Sequence, residues 1–579
     1  MIVYGDRSRL EDPQGKLGRI TARAGDAAAL PPGLDRHAAL VDAFVEAGEL
    51  LQGVADAAFE ARGVDDASPA QDAAMALLLM LADAVRRSWD GGLAAPPPDL
   101  GGPAEDLARC DLPAEVRVRT SEGHAFYGVY PEAYALAAAR TGLARPPVAV
   151  GLRSIGTGLA AMVATGAGST TTATLRPHGD PFARRVRIGP GLRARLLADA
   201  DADYVIVDEG PGLSGSSFMA ATDWLEAAGV APDRITCLAG HDRGPGGQAS
   251  ERTRRRWAAG RVVAASSGDV AERVLSSLED LVGRAEQPPQ DLSAGAWRAL
   301  RPAPAPSAPA LERRKWLLRT SRGVFLARFA GLGRLGRDKL ARAQRLHEAG
   351  FAPEPAGLRH GLLVERWVEG RPVDPDGSDR GRLLDAVGRY LGFRARAFPA
   401  THQDGASARQ LVDMVERNAG LTLGTDAGAR ARSLAAALAP AARRARPAHI
   451  DGRLHAWEWI AAGDRLVKTD AVDHSVGHDL VGCQDIAWDV AGAVVELDLD
   501  EGETRRLCAV VEREAGRPVD AGLLELFGLC YPAFQLGLWS FGEDHDRAVR
   551  NVRQRYERRL GSALASQPHA PPERCREAG

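Results

Sequence analysis

The stretch that most restricts what this chain can fold into runs from Asp201 to Val230, DADYVIVDEGPGLSGSSFMAATDWLEAAGV. Its apolar run, Tyr204 to Val207, reads as a strand and ends in the acidic pair Asp208 and Glu209. A loop of Gly, Pro and Ser follows, then an amphipathic helix. That order suits a ribose-phosphate ligand. The carboxylates can hold ribose hydroxyls, while loop amides, Ser hydroxyls and the helix N-terminus can hold the phosphate.

Strand-like and helical segments alternate around this unit. Val148 to Arg153 reads as a strand, Gly158 to Thr165 as a helix, and Thr170 to Leu175 and Arg185 to Ile188 as strands. After the opening unit come Arg234 to Ala239 (strand), Arg252 to Ala259 (helix) and Arg261 to Ala265 (strand). The alternation predicts an α/β fold with a doubly wound, mostly parallel sheet, in which ligands bind beyond the carboxyl ends of strands. Upstream, His37 to Arg87 shows helical periodicity, broken at Asp65 to Gln71. Residues 1–32 read as a loosely held polar arm, and residues 1–112 as an N-terminal arm and helical region. The clustered Tyr127, Tyr130 and Tyr134 are expected to pack a helix onto the sheet, with base stacking on a substrate as the alternative.

At 579 residues the chain is too long for one core. A net charge of -3 argues against a general nucleic-acid or membrane-surface binder. Only Lys16, Lys315, Lys339 and Lys468 are lysines; the remaining basic residues are Arg. The six cysteines are scattered without a CxxC pair, so free thiols in a reducing cytoplasm are expected. Without a signal-peptide layout, and with its most apolar run placed at Ala73 to Ala82, a cytoplasmic location is expected. RPAPAPSAPA, within residues 287–311, reads as an inter-domain linker. It separates residues 113–286 from a second unit, 312–579, in which short strands precede helices and an α+β domain is expected.

Three loops of the first unit fit one ligand. GLRSIGTG, Gly151 to Gly158, offers Arg153, Ser154, Gly156, Thr157 and Gly158 for a pyrophosphate. Gly156, Gly158 and Ala161 also fit G-x-G-x-x-A, but the next strand ends in Arg176, Pro177 and His178 rather than an acid, which weakens a dinucleotide reading. LRPHGDPFARRVR, Leu175 to Arg187, reads either as a solvated hairpin or as a mobile flap that contributes Arg176 or His178 to a reacting centre. With VIVDEGPGLSGSS these parts resemble the type I phosphoribosyltransferases, in that order. The resemblance implies phosphoribosyl pyrophosphate (PRPP) and Mg²⁺ as ligands, with Asp208 and Glu209 on the ribose hydroxyls. It also implies that Gly212, Ser214, Gly215, Ser216 and Ser217 cradle the 5-phosphate. The loop is one residue longer than the common pattern and carries Pro211.

The second unit resembles the aminoglycoside-phosphotransferase-like branch of the kinase fold. GVFLARF stands where the strand with the phosphate-pairing cation would be, with Arg328 in the lysine position. LLVERWVEGRPV, with Glu365, looks like the adenine hinge. HIDGRLHAWEW resembles a catalytic loop and makes Asp451 the base, while LVKTDAVDH makes Asp470 the Mg²⁺ ligand. Ala456 stands where that loop needs Asn, with His455 or Glu458 as substitutes, and there is no Gly-rich phosphate loop. A His/Asp metal cluster within Pro447 to Val494 has no familiar zinc spacing. Two functions compete: a PRPP-dependent transferase fused to an ATP-dependent small-molecule kinase-like unit, or a regulatory protein sensing both ligands. The expected partner is a small-molecule acceptor, with a homodimer left open.

Overall fold

The computed structural model describes residues 8–300, 305–477, 481–542 and 545–565. The chain opens with β1 (Ser8–Glu11), α1 (Pro13–Ala29), α2 (Leu34–Arg62), α3 (Pro69–Asp90), α4 (Gly101–Ala108) and β2 (Val116–Arg119), which pairs antiparallel with β1. Within the expected loose arm, residues from Ser8 on are therefore ordered, and those before it lie outside the described residues. The Asp12 carboxylate caps α1 by accepting from the N–H of Gln14 and Gly15, and Leu17, Ile20, Ala24 and Ala27 form a buried stripe. Lys16, fully buried, donates to Glu49 at 2.9 Å and locks α1 onto α2. The break expected after α2 is real: Gly63 takes a left-handed conformation there and Ser68 caps α3.

The central layer follows as α5 (Pro131–Ala139), β3 (Val148–Leu152), α6 (Gly156–Gly166), β4 (Thr172–Leu175), α7 (Pro190–Leu196), β5 (Tyr204–Val207), α8 (Ser216–Ala227), β6 (Ile235–Ala239), α9 (Glu251–Ala259), β7 (Arg261–Ala264), α10 (Gly268–Ser276) and α11 (Glu279–Val282). Five strands lie parallel in the order β4–β3–β5–β6–β7. Helix α6 packs on one face with α2 and α3, while α8 and α9 cover the other, so the sheet is doubly wound. No strand forms at Arg185 to Ile188. Only single bridges, His178 to Arg185 and Asp65 to Ile188, hold that segment.

The remaining residues form β8 (Gln290–Asp291), β9 (Lys315–Thr320), β10 (Gly323–Phe329), α12 (Gly333–Glu348), β11 (Pro355–Arg359) and β12 (Leu362–Arg366), an antiparallel sheet ordered β11–β12–β10–β9–β8. A mostly helical body follows: β13 (Arg371–Pro372), α13 (Arg380–Ala397), α14 (Ala408–Leu423), α15 (Thr425–Leu438), β14 (Pro447–Ala448), β15 (Trp459–Ala462), β16 (Arg465–Lys468), β17 (Gln484–Asp485), α16 (Ala487–Glu496), α17 (Glu501–Ala515), α18 (Ala521–Trp539) and α19 (Arg547–Ala565).

Two expectations change here. The Pro/Ala run is not a linker between domains. Strand β8 precedes it and pairs with β9 beyond it, Gln290 opposite Leu317, so one sheet takes strands from both sides of the run, whose residues 301–304 lie outside the described residues. Nor do the halves move apart as beads on a string: Trp316, Leu318, Phe325 and Phe329 share one buried cluster with Phe44, Leu78, Tyr130 and Leu159. The longest apolar helix is α18, not Ala73 to Ala82. Its length and composition would cross a membrane, but 72% of it is buried inside the fold, packed on α14, α16 and α19.

Candidate functional site

In the parallel sheet, β3 has β4 on one side and β5 on the other, which makes the β3/β5 boundary the topological switch point. The loops after both strands meet there. Glycine is required by contact: a Cβ on Gly151 would lie 2.1 Å from the Gly156 carbonyl oxygen, and one on Gly156 2.6 Å from that of Val207. GLRSIGTG therefore folds back tightly on the strand ends, with a cis bond between Arg153 and Ser154. Asp208 and Glu209 are half-buried beside it. The Tyr134 hydroxyl donates to the Asp208 carbonyl at 3.0 Å, and the Gly240 N–H to that of Glu209 at 2.9 Å. Burial and the neighbouring Glu209 push the Asp208 carboxyl well above its usual value.

The Gly/Ser loop turns sharply through Gly212 and Gly215, both left-handed, and Gly215 N–H bonds back to the Pro211 carbonyl. Pro211 thus stands at the start of a closed turn. Ser214 and Ser216 hydroxyls donate to one acceptor, the Pro181 carbonyl of the flap, at 2.8 and 2.7 Å. The flap lies over the loop.

Arg153 does not face that crevice. Its guanidinium is buried, donating to Asp56 at 2.9 Å and pairing with Asp65. Arg176 likewise binds Asp56 through Nε at 2.8 Å and donates to the Arg153 carbonyl at 2.8 Å. Arg153, expected on a pyrophosphate, and Arg176, expected on a flap, instead tie α2 to the roots of the two segments. Despite the upward pull of burial, Arg176 and Arg153 hold Asp56 below its usual range, whereas burial pushes Asp65 up. The flanking groups Ser154, Thr157, Gly158 and Ser217 remain at the loop and helix starts.

A second site lies between the antiparallel sheet and the helical body. A cavity of about 250 Å³ is lined by the end of β12, Glu365 to Val368, by Arg328 and Asp470, and by the rings of Trp297, Trp457 and Trp539. The aromatic turn of the first half reaches it through Phe126 and Tyr127. So one of the three clustered tyrosines, Tyr127, is exposed at a cavity, while Tyr130 and Tyr134 are packed as expected. The loop containing the Pro/Ala run closes one side. Ser307, Trp297 and the Gly295 N–H all donate to the Glu312 carboxylate, at 2.6 to 3.0 Å.

Asp470 presents a carboxylate 42% exposed to this cavity. Against the upward pull of burial, His474, 3.3 Å away, and Arg328 hold it well below the usual carboxylate range. An open, ionised carboxylate fits a hard cation such as Mg²⁺. Arg328 is committed elsewhere, with Nε on Glu365 at 2.9 Å and Nη1 on Asp473. Asp473 also pairs with Lys339 of α12 at 2.6 Å. Burial pushes Lys339 down to about 7. Asp451 is 1% exposed and does not line the cavity. It accepts from the Tyr390 hydroxyl and sits 3.3 Å from Lys468, while its N–H and that of Gly452 donate to Asp489. The suggested substitutes for the missing Asn are occupied: His455 Nδ1 lies 3.1 Å from Glu496, and Glu458 holds Lys468 at 2.6 Å. Of the proposed His/Asp metal cluster, His478 and Asp479 lie outside the described residues.

No protein-family model matches the chain, and no curated protein matches it. Among solved structures it is similar to choline kinase LicA from Streptococcus pneumoniae, at 15% identity over 51% of this chain and 99% of that one, with a TM-score of 0.34. It is also similar to a spectinomycin phosphotransferase in complex with ADP and spectinomycin, at 10% identity over 51% and 97%, with a TM-score of 0.35. A choline/ethanolamine kinase family protein from Mesorhizobium loti gives 16% identity over 52% and 95%, with a TM-score of 0.33.

Sequence reasoning did not single out Asp56, Asp65, Glu312 or Lys339. One signal was present for the last. In a chain so rich in Arg, lysine stands out, and Lys16, Lys339 and Lys468 all prove to be buried against carboxylates.

Proposed function

We propose that this protein is a PRPP-dependent phosphoribosyltransferase whose second half is an ATP-binding, kinase-like unit. One observation carries the first assignment: the acidic pair and the Ser-rich loop stand together at the switch point of the parallel sheet, where a doubly wound fold binds its ligand. The two neighbouring carboxylates, one pushed up by burial, favour a bound cation or hydroxyl donors between them. Mg²⁺ and ribose hydroxyls supply those. Ser214 and Ser216, with the amides at the start of α8, would take the 5-phosphate in place of the Pro181 carbonyl. The flap would then exclude water while pyrophosphate leaves and an acceptor attacks the anomeric carbon.

The double variant Asp208→Asn, Glu209→Gln is expected to weaken PRPP binding about 100-fold, since each charged hydrogen bond is worth about 1.5–3 kcal/mol. Calorimetric titration measures this, and unchanged affinity with a folded variant would sink the transferase reading. For the second half, Mg-ATP should raise the melting temperature of the wild type, and Asp470→Ala should remove that shift. A second reading is favoured by Arg328 and Asp451, both enclosed by their own partners: the kinase-like half binds nucleotide without transferring phosphate. Nucleotide binding without ATP turnover against a panel of amine and hydroxyl acceptors would support it.

A further inference from the structure

Away from both sites, three side chains from three elements converge at the junction of the halves. His37 lies in the first turn of α2, Glu132 in the first turn of α5, and His360 in the turn between β11 and β12. All are buried. Nε2 of His37 and Nε2 of His360 lie 2.7 and 2.8 Å from the same oxygen, Glu132 Oε1. The other oxygen, Oε2, is buried with no hydrogen-bond partner among the described residues. A buried carboxylate oxygen left bare is costly and calls for a ligand.

We propose that His37, Glu132 and His360 form a structural site for a zinc-class divalent ion that joins the two halves. The three ligand atoms lie within 4.8 Å of one another. Zinc bonds of 2.0–2.2 Å in tetrahedral geometry set ligands about 3.3 Å apart, so an opening of roughly 0.5 Å between each imidazole and the carboxylate accommodates the ion. Two imidazoles exclude the oxygen-only sites of Mg²⁺ and Ca²⁺ and suit Zn²⁺. A shift of the carboxylate onto the ion would also bring Oε2 toward it and give that oxygen its partner. The surroundings also fit. Ser88 Oγ lies 3.0 Å from His37 Nδ1, the kind of outer contact that fixes a metal-bound imidazole. The His360 backbone is held by the Tyr130 hydroxyl, which donates to its carbonyl at 3.1 Å. The ligand set is complete only when the β11–β12 turn docks on α2 and α5.

The full chain, produced in zinc-supplemented medium and dialysed, is expected to carry about one zinc per chain by elemental analysis. Crystals should show an anomalous peak at the zinc edge between these three side chains. In the chain carrying His360→Ala the zinc content should fall to near zero. Wild-type protein without zinc, or with its anomalous peak elsewhere, would overturn the proposal and leave a hydrogen-bonded core cluster. Full zinc retention in the folded His360→Ala chain would overturn it equally. The wild-type anomalous experiment decides the matter even if that variant fails to fold, and neither outcome touches the PRPP assignment.

Discussion

Single side chains set the chemistry of the first crevice, and Asp208 shows the conflict most clearly. Burial and Glu209 raise its folded pKa well above the usual 3.8. A raised carboxyl contributes stability below its unfolded value and loses it as pH rises through the folded one. Asp208→Asn removes that loss. The variant should therefore melt above the wild type at pH 8 and no higher near pH 3, while binding PRPP poorly. Melting curves across that pH range, with no ligand, check the sign. Stability given up at a ligand site is a common trade, and the proposed function would account for it here. Tyr134 fits the same picture, because its hydroxyl holds the Asp208 backbone rather than facing a ligand.

At the scale of elements, the N-terminal helices are the frame that positions the loops. Asp56 of α2 takes Nε of both Arg153 and Arg176, so one carboxylate fixes the root of the GLRSIGTG loop and that of the LRPHGDPFARR segment. Asp56→Asn leaves two guanidinium groups short of a charge in a largely buried network. Breaking such a pair costs about 3–5 kcal/mol. Urea unfolding should show a loss of that size, with faster hydrogen exchange along the flap. The Pro/Ala loop is a second case in which a segment with no core of its own is organised by a single carboxylate, that of Glu312. Its pKa stays low despite burial because of Lys315 and the hydroxyl and indole donors around it.

For the whole molecule, the shared core between the central layer and the antiparallel sheet decides the behaviour. Cutting the chain near residue 288 would expose Trp316, Leu318, Phe325 and Phe329 on one side and their helical partners on the other. The two pieces made separately should be insoluble or poorly folded. The intact chain should show the central layer and the antiparallel sheet melting together by calorimetry, without an independent transition for the first half. Local chemistry made much of this legible beforehand. An apolar run ending in Asp208 and Glu209 before a Gly/Ser loop announces a parallel strand and its helix, because period, length and turn residues all act within about ten residues. The same holds for β3, α6, β6, β7, β9 and β10. What the sequence could not reveal depends on contacts between distant residues. Pairing of β8 with β9 across the Pro/Ala run puts strands from both sides of it in one sheet. Asp56, far upstream of Arg153, took an arginine that its own loop would have assigned to a phosphate. Local pattern determines which segments form strands, helices and tight turns. Only the tertiary fold decides where a charged side chain points, since a buried guanidinium goes to whichever carboxylate packing brings near.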